Sequence, residues 1–197
     1  MKKTLFTLAL LAGLTGATQA QRSNVSLGIK AGPSYSSFIG AQATNYESVF
    51  GFHAGVFANI GLTDLFAFQP EIIYSQKGAK VPNIDLTTRL NYVDIPLSFH
   101  VNADGLFFEA GPQLGILVAA KDKLGSVSVD RKAIYNTLDF GYLAGLGYQR
   151  KSGPGIGVRY NGGFTNVEKS RTVGNMTVQN NIRNSAFQLY LTYSFGG

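Results

Sequence analysis

The chain has 197 residues, no cysteine, and a formal charge of +6 from 17 Lys and Arg against 11 Asp and Glu. The lack of Cys excludes disulfides, thiolate metal sites and cysteine nucleophiles. The charge excess is small and scattered, which excludes the dense basic face that nucleic-acid binding needs.

Residues 1–20 predict a secretory signal peptide. Lys2 and Lys3 precede an apolar run at 5–14, and small residues at 18–20 offer a cut after Ala20. That run is too short for a spanning helix, which takes roughly twenty apolar residues. Without Lys2 and Lys3 the formal charge falls from +6 to +4. Residues 21–197 are expected to form one domain.

Eight extended stretches follow, at 25–35, 49–60, 65–76, 90–101, 106–119, 137–149, 155–164 and 185–195. Each alternates with period two, the mark of a strand between unlike surroundings. On the second, Phe50, Phe52, Ala54 and Val56 share one face, and Gly51, His53 and Gly55 the other. The third sets Phe66, Phe68, Ile72 and Tyr74 against Glu71. In the fourth, Val93, Ile95, Leu97 and Phe99 alternate with Asp94. The sixth places Leu138, Phe140 and Tyr142 opposite Asp139, Gly141 and Gly145. Glycine recurs four apart on the polar face, at Gly28/Gly32, Gly51/Gly55, Gly111/Gly115 and Gly141/Gly145. Glycine weakens a strand interior, so its repetition indicates crowding on that side. A narrow barrel, filled and polar inside and apolar outside, satisfies the pattern. The expected fold is all-β, an eight-stranded antiparallel up-and-down transmembrane β-barrel.

The connections alternate in length. Residues 61–64, 102–105 and 150–154 are tight turns rich in Gly, Asp and Asn, whereas 36–48, 77–89, 120–136 and 165–184 are long and polar. Short turns on one rim and long loops on the other are the stringing of Gram-negative outer-membrane barrels, with the short side periplasmic. In or beside the long loops lie ten basic residues, including Lys77, Lys80, Arg89, Lys121 and Lys123, and five acidic ones. The expected partners of that rim are outer-membrane lipid and anionic lipopolysaccharide; the loops' own partner is left open. The last strand ends in the aromatic block Tyr193-Ser194-Phe195. A terminal strand ending at Phe195 is expected to be what the barrel-insertion machinery reads.

Several stretches together resemble the porin-family outer-membrane β-barrel domain, the PorT-like group of small barrels. They are the segments 68–78 (FQPEIIYSQKG), 90–97 (LNYVDIPL), 108–115 (FEAGPQLG), 138–141 (LDFG) and 188–195. Their order and spacing span nearly all of residues 22–195. The resemblance implies a small barrel located in the outer membrane, and no particular activity.

Register puts Lys30, His53, Glu71, Asp94, Glu109, Asp139 and Arg159 on the glycine face, inside the barrel. Eight strands enclose only enough space for their own side chains. Buried charges must be paired or hydrogen-bonded. The four acids are therefore expected to face Lys30 and Arg159, with Arg159 as the hub because its fork holds two carboxylates. Tyr92, Tyr190, Gln69, Gln113 and Gln188 would complete the hydrogen bonds. The set reads as a structural plug fixing strand register. A proton or ion path, or a paired-carboxylate site, is the competing reading. Ser98 and His100 stand two apart on this face without an evident third member, so no catalysis is expected. No metal or cofactor motif appears, and no cofactor is expected.

The function these features predict is that of an integral outer-membrane protein with a filled lumen, structural or acting through its loops. Small-solute or ion transport through the lumen is the alternative. A soluble lipocalin-like barrel is a further one and would require the two faces to be reversed.

Overall fold

This computed structural model describes residues 24–150, 152–173, 176–178 and 180–195. The signal peptide expected at 1–20 lies outside the described residues. Among the described residues eleven strands occur in chain order: β1 Val25–Ile39, β2 Glu47–Gly61, β3 Phe66–Val81, β4 Leu86–Ala103, β5 Leu106–Leu124, β6 Val127–Asp130, β7 Leu138–Gln149, β8 Gly153–Gly163, β9 Arg171–Val173, β10 Met176–Val178 and β11 Arg183–Ser194. Eight of them (β1, β2, β3, β4, β5, β7, β8 and β11) pair antiparallel with their neighbours, and β1 pairs β11 to close the barrel. Closure removes the unpaired strand edge, which lipid cannot hydrate. Among the described residues no helix is long and apolar enough to cross a membrane.

Exposure decides which face is which. Phe50 is 72 % exposed, whereas Glu71, Asp94 and Arg159 are each 2 % exposed. The apolar face points outward and the polar, glycine-rich face points to the axis. The soluble, lipocalin-like alternative required the reverse and is overturned.

Tight turns join the strands at one end. Asp104 and Gly105 have φ of 48° and 90°, the two positive values of a two-residue hairpin, with Ala103 paired to Leu106. The chain termini of the barrel meet at this same end, where the Phe195 N–H donates to the Leu27 carbonyl at 2.8 Å. This is the periplasmic rim of an up-and-down barrel.

At the other end the strands run further than expected. β4 has 18 residues and β5 has 19, against the roughly nine to eleven that cross a membrane. β5 and β6 form a hairpin projecting beyond β7, and β9 and β10 form another within the last long connection. The projecting ends are not simply solvated. Phe38, Ala79, Leu90, Tyr92, Leu117, Ala120, Tyr135, Val167 and Ile182 make a buried apolar cluster at the extracellular mouth. They come from β1, β3, β4, β5 and two loops, so no single segment shows the cluster. The long connections, expected to be polar throughout, thus contribute an apolar cap.

Candidate functional site

The lumen is built in layers, and glycine sets their geometry. Across β5, β7 and β8 the register runs Glu109, Gly145, Arg159. Across β4, β5 and β7 it runs Asp94, Gly115, Asp139. In both rows two charged residues flank a glycine whose missing side chain leaves room between them. A Cβ on Gly145 would lie 2.7 Å from Glu109 Oε1, and one on Gly115 would lie 2.6 Å from Asp94 Oδ1.

Arg159 occupies the first layer with both faces of its fork engaged. Its Nη1 and Nη2 donate to Glu71 at 3.0 and 2.7 Å, and its Nε and Nη2 to Glu109 at 2.9 and 2.6 Å. Lys30 Nζ reaches Glu71 Oε1 at 2.6 Å and lies 4.2 Å from the centre of the Tyr190 ring. The Tyr190 hydroxyl donates to Glu109 Oε1 at 2.7 Å, and Gln69 Nε2 to Glu71 Oε1 at 2.8 Å. Two cations meet two carboxylates, and the layer is formally neutral. Charges this deep persist because every partner is present.

Asp94 and Asp139 do not join Arg159. A second layer holds them, and its cation is Lys77, which the polar sequence around it assigns to a long loop on the outer rim. Its Nζ lies 3.1 Å from Asp94 Oδ1 and 3.4 Å from Asp139 Oδ2. β3 runs on to Val81, so Lys77 keeps the inward parity of Glu71, Ile73 and Ser75. Continuing the alternation past Gln76 would have found it. Asn184 Nδ2 and Thr165 Oγ1 donate to Asp139 at 2.8 and 3.0 Å and brace the layer from β11 and the last loop. The free space beside Lys77 and Asp139 is about 10 Å3. That is about one water at most.

His53 is buried with no hydrogen-bond partner on either ring nitrogen. Its ring meets Tyr190 edge-on, with centres 6.4 Å apart. Ser98 Oγ lies 3.2 Å from His100 Nε2, and Glu109 Oε2 lies 3.5 Å from the same nitrogen. A catalytic triad needs the acid on one ring nitrogen and the nucleophile on the other. Here both share Nε2, and Glu109 is already committed to Arg159 and Tyr190.

Below the first layer the lumen widens into a cavity of about 470 Å3, lined by Lys30, Phe57, Asn59, His100 and Phe107 and opening past Asp64, Asp104 and Arg150 at the periplasmic rim. No group of three metal-ligating side chains occurs among the described residues.

Comparison with known proteins agrees with this architecture. The family model described as "Outer membrane protein beta-barrel domain" matches residues 18–196. The chain belongs to that family. As a member of it, the protein is a Gram-negative outer-membrane β-barrel. Neisserial surface protein A shares 16 % identity with a TM-score of 0.52, covering 88 % of this chain and 98 % of that one. Ail from Yersinia pestis, solved with the heparin analogue sucrose octasulfate, shares 13 % identity with a TM-score of 0.50, covering 87 % of this chain and 99 % of its own. Identities this low establish a common fold. No curated protein matches the chain.

Proposed function

We propose that this family member is a sealed barrel that works through its extracellular end, and that its lumenal charges are structural. Three stacked closures support the reading: the Arg159 layer, the Lys77 layer and the apolar cap above them. A permeating ion would have to replace the partners of two fully engaged, desolvated cations and then part an apolar cluster. The single nitrogen shared by Ser98 and Glu109 gives no support to hydrolysis.

Outer-membrane lipid is the partner of the outward apolar band, and lipopolysaccharide that of the basic rim. The insertion machinery is the proposed partner of the last strand, which ends at the exposed Phe195. The test is planar-bilayer recording of purified protein. The expected trace is flat, and stable current steps would overturn the sealed lumen.

One observation favours passage of small solutes instead: the periplasmic cavity already spans part of the lumen. On that reading the cap and both charged layers must open together. A Leu90→Asp variant with its cap disrupted should still carry no current, because both charged layers remain closed; current there would count against them as closures.

A further inference from the structure

On the outer wall, Arg89 of β4 lies directly opposite Lys121 of β5, and Thr87 lies opposite Lys123. Arg89, Lys121 and Lys123 are all exposed on the outward face. Like charges placed opposite each other across a strand pair destabilise it. Among the described residues Arg89 has no carboxylate opposite it or paired with it, and Lys121 faces Asp130 of β6 on its other side without forming an ion pair. Arg89 Nη1 donates only to neutral acceptors, the Gln76 Oε1 at 2.7 Å and the Phe50 carbonyl at 3.3 Å. Among the described residues no carboxylate lies within ion-pairing distance of Arg89, Lys121 or Lys123. The nearby acids are otherwise placed. Asp85 pairs with Lys80 at 2.8 Å. Asp122 accepts from Thr88 and Tyr135 at 2.8 and 3.1 Å. Asp130, opposite Lys121 on β6, accepts the Lys132 N–H at 2.9 Å. Glu47 faces Lys80 from β2.

The height of these cations on the wall is equally specific. Below Arg89 the outward positions of β4 are Asn91, then Val93, Ile95, Leu97 and Phe99. Below Lys121 those of β5 are Val118, Ile116 and Leu114. The three cations therefore stand where the apolar band gives way to the outer-leaflet headgroups. Arg and Lys side by side suit a phosphate, the fork fixing its orientation and the ammonium adding charge.

We propose that Arg89, Lys121 and Lys123 form a binding site for a phosphate group of the outer-leaflet glycolipid, the phosphorylated lipid A of lipopolysaccharide. The site rests on the membrane address of the barrel and is independent of whether its lumen is sealed. The bound phosphate sits between the opposed cations and converts a repulsive strand pair into a bridged one.

The test uses the full mature protein in phosphatidylcholine nanodiscs containing bis-phosphorylated lipid A, with retained lipid counted by native mass spectrometry. Wild type should retain this lipid A roughly tenfold better than its dephosphorylated form, the scale expected of a few cations at an anionic lipid surface. Arg89→Gln/Lys121→Gln should lose that preference. Both positions are exposed and the change removes a repulsion, so the double variant should still show the heat-modifiable mobility of a folded barrel; Lys121→Gln alone serves as a milder second variant, expected to weaken the preference in part. Equal retention of the two lipids by wild type would overturn the site, and so would full retention by the folded variants. Preference of wild type for a soluble sulfated oligosaccharide over lipid A would also overturn it.

Discussion

Gly145 stands in register beside Glu109, and a side chain on Gly145 would fall 2.7 Å from the Glu109 carboxylate. The glycine is therefore the vacancy through which Glu109 reaches Arg159, two strands away. It couples the backbone composition of the wall to the charge chemistry of the lumen. Gly115 and Gly145 make room for the charged layers, whereas a Cβ on Gly32, Gly51, Gly55, Gly111 or Gly141 would first meet a backbone carbonyl of the neighbouring strand.

Gly145→Ala should destabilise the folded barrel by about 1–3 kcal/mol, the usual cost of overpacking a filled interior. The change should appear as a lower urea midpoint in detergent. Gly153 has nothing within 4 Å of an added Cβ but a positive φ of 93°, so Gly153→Asn gives a comparison outside the lumen, where backbone strain replaces crowding. Equal midpoints for wild type and Gly145→Ala would contradict the vacancy argument.

Arg159→Leu should cost roughly 3 kcal/mol or more, because Glu71 and Glu109 then remain buried with only Lys30 between them. Arg159→Lys should fall between the two, since an ammonium cannot hold both carboxylates bidentately. Unfolding midpoints in detergent rank the three proteins. An unchanged midpoint for Arg159→Leu would dispose of the network.

Lys77→Met should destabilise by about 3–5 kcal/mol, the effect of stranding buried charges, here Asp94 and Asp139. Adding Asp94→Asn and Asp139→Asn to that background should restore part of the loss. A double-mutant cycle on the same midpoints measures the coupling. Strict additivity would show that Lys77 does not hold the two acids.

Tyr135 belongs to the cap, outside the membrane-spanning strands. Burial pushes its phenol above its usual range, and the adjoining Asp122 carboxylate pushes the same way. A raised folded pKa means that the stability from neutral Tyr135 is fully present below the unfolded value of about 10 and is lost as pH rises through the folded pKa. The ultraviolet difference between wild type and Tyr135→Phe should show this phenolate forming only above pH 10, together with easier proteolysis of the long loops. Titration of Tyr135 at the ordinary value would contradict its burial.

The dyad alternation of Phe50, Phe52, Ala54 and Val56 against Gly51, His53 and Gly55 determined strands, faces and membrane setting without any tertiary information. Side chains alternate across a strand whatever it pairs with, so this is a local property. The same parity put Lys30, Glu71, Asp94, Glu109, Asp139 and Arg159 inside. It extends to Lys77 as well, because β3 continues past Gln76 into residues whose polar pattern suggests a loop. Parity says nothing about height along the axis. The stagger between neighbouring strands decided that Arg159 meets Glu71 and Glu109, while Asp94 and Asp139 stand a layer away with Lys77. Phe38, Leu90, Leu117, Tyr135, Val167 and Ile182 form the cap only once the barrel has closed. Their sequence separations conceal what a shared end of one cylinder brings together.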